Sequence, residues 1–182
     1  VVITNDSANK KFHANYDILN AVIFGVPILS AGWITKSNES KLANWKDFEI
    51  TDIGCGRNCI QLSYINSLKM LPKLFNGCHF YFRDLNAPYE INSYLTVNKK
   101  MLAKLVVDGG GVVLKREPDP EGIPDSEKLI PFHAHKDSVL SNCSHFIIYK
   151  TKPQLAYNMK HLKSLSVDWF IGCIKNFKLM DP

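Results

Sequence analysis

The chain of 182 residues is 46% hydrophobic and 21% charged, with a formal net charge of +5; this globular composition suits one domain or two small ones and excludes a largely disordered chain. The positive excess favours acidic partners such as nucleic acid or acidic histone surfaces, but no Lys/Arg run reaches five residues, so it singles out none of them. No apolar run approaches the ~20 residues that cross a bilayer, and nothing at the N-terminus reads as a secretory signal, so no membrane partner is expected.

The chain opens on a short apolar strand, Val1–Thr4, an abrupt start that suggests part of a domain lies upstream. A helix is expected over about 14–24, with Ile18, Leu19, Val22 and Ile23 on one side and Gly25 after it. A strand over Pro27–Leu29 follows, then a Ser and a helix opening with Trp33 and Ile34. The segment 50–72, with Gly54, Gly56 and a helical Ile65–Leu71, reads as a linker. Beyond it come a strand at Cys78–Arg83 and a helix over 96–108 whose apolar face is Val97, Met101, Leu102, Leu105 and Val106. That helix stops at Gly109-Gly110-Gly111, ahead of a strand at Val112–Lys115. Glu117–Lys136 carries Pro118, Pro120, Pro124 and Pro131 and is expected to be an irregular insertion. His145–Tyr149 is a strand by its β-branched and aromatic content. The last helix has the strongest periodicity: Trp169, Phe170, Cys173, Ile174 and Phe177 form one stripe, with Ser166 placed as N-cap and Asp168 in the first turn.

Short strands alternating with helices imply an α/β fold on a mostly parallel sheet, its strands buried on both faces. An imperfect repeat supports two related units. Ile28-Leu29-Ser30-Ala31-Gly32-Trp33-Ile34 matches Ser164-Leu165-Ser166-Val167-Asp168-Trp169-Phe170, each preceded by a strand.

Catalytic and metal signatures are weak. The glycine run 109–111 follows a helix and precedes a strand, the wrong order for a phosphate loop, so it reads as a C-cap and turn. His133, His135, Cys143 and His145 are a conceivable metal set, and Cys55 and Cys59 are close in sequence, but no second pair has matching spacing. The expectation is therefore no metal and no cofactor. The five cysteines, Cys55, Cys59, Cys78, Cys143 and Cys173, are odd in number and irregular in spacing, which argues against a disulfide framework and for a reducing compartment. Neither G-x-S-x-G nor H-E-x-x-H occurs, and nothing pairs a Cys with a His by motif. Trp33 and Trp169 read as core residues, not as ligand-stacking rings. Lys10, Lys11, Lys99, Lys100, Lys104, Lys160 and Lys163 read as solvated faces.

The segment Gly25-Val26-Pro27-Ile28-Leu29-Ser30-Ala31-Gly32-Trp33-Ile34 resembles the G-x-P-I-V-S-x-x-W-I pattern of the BRCT (breast-cancer C-terminal) family. Within that family, Leu71-Pro72-Lys73-Leu74-Phe75-Asn76-Gly77-Cys78-His79-Phe80-Tyr81-Phe82 resembles the opening of the second repeat in BRCT pairs of RING-domain ubiquitin ligase subunits. The glycine run, Arg116-Glu117-Pro118-Asp119-Pro120, His133-Ala134-His135, Tyr149 and Ser166–Cys173 continue that resemblance. It implies two BRCT repeats, each a short, mostly parallel four-stranded sheet flanked by helices, the first incomplete at its N-terminus. The implied division is repeat 1 at 1–49, linker at 50–72 and repeat 2 at 73–182.

The resemblance also implies functions. BRCT pairs often hold a phosphoserine in the first repeat, using a Ser/Thr and a Gly upstream of this chain and a Thr and a Lys on the second helix. Counted back from Gly25 without gaps, the last two positions fall on Asn15 and Asp17. Asp17 would repel a phosphate, and Lys10 or Lys11 would substitute only under a shifted alignment. The ligase-subunit pairs instead imply a non-catalytic, nuclear reader of nucleosomes carrying ubiquitin on histone two-A, in the DNA-damage response. There, Arg116, or its neighbour Lys115, would engage the acidic patch, and Asp119, Glu121 or Asp125 would meet the ubiquitin side. A RING-domain ligase partner would bind through regions outside this chain. The rival readings are a phosphopeptide-binding checkpoint mediator, an accessory domain of a DNA-joining or repair enzyme, and a small α/β enzyme.

Overall fold

The computed structural model describes residues 2–4 (backbone only), 13–37, 41–52, 54 and 58–182. Val1, Lys10, Lys11, Cys55 and Gly56, named above, lie outside these described residues.

The elements run β1 (Val2–Thr4), α1 (Tyr16–Phe24), β2 (Ile28–Ser30), α2 (Gly32–Lys36), α3 (Cys59–Leu68), β3 (His79–Arg83), β4 (Tyr89–Asn92), β5 (Leu95–Val97), α4 (Lys99–Asp108), β6 (Val112–Val113), β7 (His145–Tyr149), β8 (Leu162–Ser166) and α5 (Val167–Asn176). The strands β1 and β2 pair in parallel, and a second sheet has the order β6-β3-β7-β8, parallel throughout. The middle strand pairs are in register, His79 facing His145 and Phe80 facing Phe146, then His145 facing Leu162.

Alternation along the strands divides the larger sheet between two cores. Phe80, Phe82, Phe146, Ile148 and Leu165 join the main core, while Ile147 and Leu162 meet Ile123 of the insertion and half-buried Tyr81, Tyr157 and Met159 on the other face. The insertion has neither strand nor α-helix, only two 3-10 turns, at Pro120–Gly122 and Asp125–Glu127. Its Ile123 nevertheless covers apolar sheet that water would otherwise reach.

α1 joins the two units. Asn15 caps it, its Oδ1 accepting from the Ile18 N–H at 2.9 Å, and Gly25 ends it in the left-handed region at φ 65°. A Cβ at Gly25 would lie 2.5 Å from Ser67 Cβ and 2.7 Å from the Ser63 carbonyl oxygen, so only glycine admits this approach of α1 to α3. The Ser63 hydroxyl donates to the Val22 carbonyl across the same contact, and α1 also packs on α4 and α5. One apolar core therefore runs without a break from Ile18, Leu19 and Val22 to Phe75, Phe170 and Ile174.

α5 keeps its expected cap and stripe. Ser166 Oγ accepts from the Trp169 N–H at 3.1 Å, and Phe170, Ile171, Cys173 and Ile174 are buried. Five expectations need correction. Val97 is not on a helix: it ends the β4–β5 hairpin, and the helix starts at Lys99 behind the Asn98 cap, whose Oδ1 accepts from the Met101 N–H at 3.0 Å. The linker helix begins at Cys59, earlier than Ile65, and the strand after the glycines is shorter, Val112–Val113. Trp33 is half-buried on a five-residue helix that buries nothing, its indole N–H donating to the Ala43 carbonyl at 2.9 Å. Lys163 is buried in β8, its ammonium tied to Asn158 Oδ1 at 2.7 Å.

Candidate functional site

Lys115 and Arg116 leave the end of β6, and both are exposed. Two residues behave differently at this point. Arg83, closing β3, is taken by Glu117 in a fork: Nε donates to Oε2 at 3.0 Å and the second guanidinium nitrogen donates to Oε1. That bidentate pair fixes the start of the insertion to the sheet. Arg116 is exposed and makes no ion pair or hydrogen bond among the described residues.

Arg116 shares a cavity of about 350 Å³ with Leu114, Pro118, Asp119, Glu127 and His145. Asp119 caps the first 3-10 turn by accepting from the Glu121 N–H at 3.2 Å. Glu121 is exposed. Asp125 pairs with Lys128 at 2.7 Å, a contact that holds its carboxyl below the usual range. Arg116 and Asp119 thus come together, Lys115 and Glu121 flank them, and Asp125 is already partnered by a lysine.

The other candidates sit on α1. Asn15 is occupied as the helix cap, and Asp17 is exposed in the first turn. A carboxylate there complements the helix dipole but opposes an incoming phosphate.

The four residues His133, His135, Cys143 and His145, set aside above as a metal set, do not assemble as a unit among the described residues. His133 Nε2 lies 2.8 Å from the Pro72 carbonyl, and burial pulls its pKa down; His135 is exposed near Asp137. Cys143 is buried, and burial pushes its thiol up to about 12. Burial raises Cys78 and Cys173 as well, the latter to about 12. These thiols pack in the core and are poor nucleophiles at neutral pH.

His145 belongs to a different group. Register stacks its ring on His79, centroids 4.5 Å apart and planes 6° from parallel, with Phe80 stacked on Phe146 one step on. Burial, with the charge of His79 adding to it, pulls His145 down to about 4; Glu127 opposes that shift. Glu127 lies 3.6 Å from His145 Nε2, and His79 Nδ1 is buried with no hydrogen-bond partner among the described residues. Sequence reasoning missed His79, Arg83, Glu117 and Glu127. One signal was present, the His-Phe step at the head of both β3 and β7, which parallel register turns into a stacked pair.

No family model matches the chain. It is 30% identical to BRCA1-associated RING domain protein 1 of Homo sapiens over 186 residues, covering 99% of this chain and 22% of that protein. The Mus musculus protein of the same name is 26% identical over 185 residues, again with 99% and 22% covered. The chain thus spans about a fifth of the length of these curated relatives. Its fold matches the crystal structure of the S. pombe Brc1 BRCT5-BRCT6 domains with a TM-score of 0.52 at 12% identity, over 98% of this chain and 93% of that one. No helix among the described residues is long and apolar enough to cross a membrane.

Proposed function

The chain is a tandem BRCT module, a non-catalytic protein-binding fold similar in sequence to BRCA1-associated RING domain protein 1, and from that premise we propose that it reads nucleosomes bearing ubiquitin on histone two-A. In this reading Arg116, with Lys115 beside it, anchors on the acidic patch of the histone surface. The insertion, through Asp119, Glu121 and Asp125, faces the ubiquitin. The module is the recognition part of a nuclear ubiquitin ligase subunit in the DNA-damage response, and a RING domain outside this chain supplies assembly with the ligase partner. The division into repeat 1 (1–49), linker (50–72) and repeat 2 (73–182) belongs to the same proposal.

The observation that carries this reading is the contrast between two arginines. Arg83 is paired with Glu117 and holds the insertion in place, while Arg116, exposed just past the end of β6, has no partner among the described residues. A guanidinium offers a rigid fork of donors suited to clustered carboxylates, and its attraction to them survives burial better than that of an ammonium. Asp17, where a phosphate-binding lysine would stand, weighs against phosphopeptide recognition at α1.

The test is binding to nucleosomes with and without ubiquitin on histone two-A, beside a phosphopeptide library. Ubiquitin-dependent binding that falls at least about tenfold in the Arg116→Glu, Lys115→Glu double variant is expected, since loss of one close charge contact is worth about 1.4 kcal/mol or more. Unchanged nucleosome binding in that variant overturns the reading, as does binding to phosphopeptides alone.

A further inference from the structure

The buried histidine pair under the insertion has no role in the reading above. Its surroundings are those of a ligand set. One ring nitrogen each from His79 and His145 and one carboxylate oxygen of Glu127 lie within 4.8 Å of one another. His79 is 9% exposed and His145 1%, and both head adjacent parallel strands, so the backbone fixes their spacing. We propose that His79, His145 and Glu127 bind a divalent first-row cation of the zinc class, clamping the insertion to the sheet.

Three details carry this. His145 Nδ1 lies 2.9 Å from Ser144 Oγ, an outer-shell contact that holds the ring and leaves Nε2 turned toward Glu127. The distance from Nε2 to Glu127 Oε2, 3.6 Å, is too long for a hydrogen bond. It is close to the roughly 3.4 Å that separates two ligand atoms on a tetrahedral zinc with bonds of about 2.0–2.1 Å. His79 Nδ1 is buried and without a hydrogen-bond partner among the described residues, an acceptor or donor that the protein itself leaves unused.

Two imidazoles and one carboxylate select zinc-like ions over magnesium or calcium, which prefer all-oxygen shells. Arg116 and Asp119 line the same cavity with opposite charges, leaving Glu127 as the net negative group facing the cation. A water completes the shell. Glu127 ends the second 3-10 turn of the insertion, so metal binding there ties the middle of the insertion to β3 and β7. The site does not depend on the nucleosome reading and is tested without any partner.

The experiment is titration of the metal-free full chain with Zn2+, followed by calorimetry and thermal unfolding, with Mg2+ alongside. The expected result is saturable uptake of one equivalent with a rise in Tm, and no response to Mg2+. Glu127→Gln, an exposed position, should weaken zinc affinity at least tenfold while leaving the metal-free Tm unchanged, and His145→Gln should abolish uptake. With Co2+ in place of zinc, ligand-field bands should appear without a thiolate charge-transfer band. The proposal is overturned by no saturable uptake, by equal affinity in Glu127→Gln, by an equal response to Mg2+, or by a thiolate band that assigns the metal to cysteines.

Discussion

The two Trp-bearing helices carry the same local signal and reach different depths. α2 and α5 both follow a strand and a Ser, and both present a Trp near their start. In α5 the helix runs for ten residues, its stripe fills the core between Phe75, Phe80 and Phe82, and Trp169 stacks on Phe146 at 5.3 Å while its indole N–H donates to the Met180 carbonyl at 2.8 Å. In α2 the helix stops after five residues, Ile34 is 54% exposed, and Trp33 has a hydrogen bond but no buried neighbour on its own helix. A motif therefore fixes the local turn of the chain, whereas helix length and what lies opposite decide how much apolar area leaves the water.

The comparison is broken most directly with the two tryptophans. Trp169→Ala should cost about 3 kcal/mol, the loss of a packed aromatic, and Trp33→Ala about 1 kcal/mol, both read by chemical denaturation. Equal costs would show that α2 packs as deeply as α5.

A smaller effect separates the units by pH. His145 sits in the second unit with its pKa lowered from 6.5 to about 4, so the unfolded chain binds the proton more readily than the folded one. The stability that burial of the neutral ring requires is intact above about pH 6.5 and drains away as pH falls toward about 4, with about 2 kcal/mol lost by about pH 5. Hydrogen exchange at pH 5 should show the loss first in β7, and His145→Gln should flatten the slope. A slope that persists in that variant would move its origin to another group.

The smallest expected effect is one where the units agree. Asn15→Ala and Ser166→Ala each remove one helix cap and should each cost about 1 kcal/mol by thermal denaturation. A much larger penalty for Asn15→Ala would mean that α1 transmits its damage into both units.

Local rules made much of this legible. The His145–Tyr149 strand, the Ser166 cap and the α5 stripe all follow from residues within one turn or one strand of each other. The β4–β5 hairpin escaped because its strands are short and Val97 fits a helical spacing with Met101 and Leu105 until Asn98 interrupts it. In the candidate site, the exposure of Lys115 and Arg116 could be anticipated at a strand end. The Arg83–Glu117 fork and the His79, His145 and Glu127 group could not, since they join residues 18 to 66 positions apart through sheet register and the folding back of the insertion. Lys163 shows the same limit: its sequence neighbours gave no sign that β8 would bury it beside Asn158.

The place of α1 between α3, α4 and α5 has a consequence for how injury spreads. The two units share most of their buried apolar core, which both lose when α1 leaves it. A lesion at Gly25 or Ser63 would then reduce the native population that presents Arg116, by the same factor and with no change in the affinity of each surviving molecule. Loss of function from such a lesion would show itself as missing protein in the cell, reversible by cooling, while the recognition surface remained chemically whole.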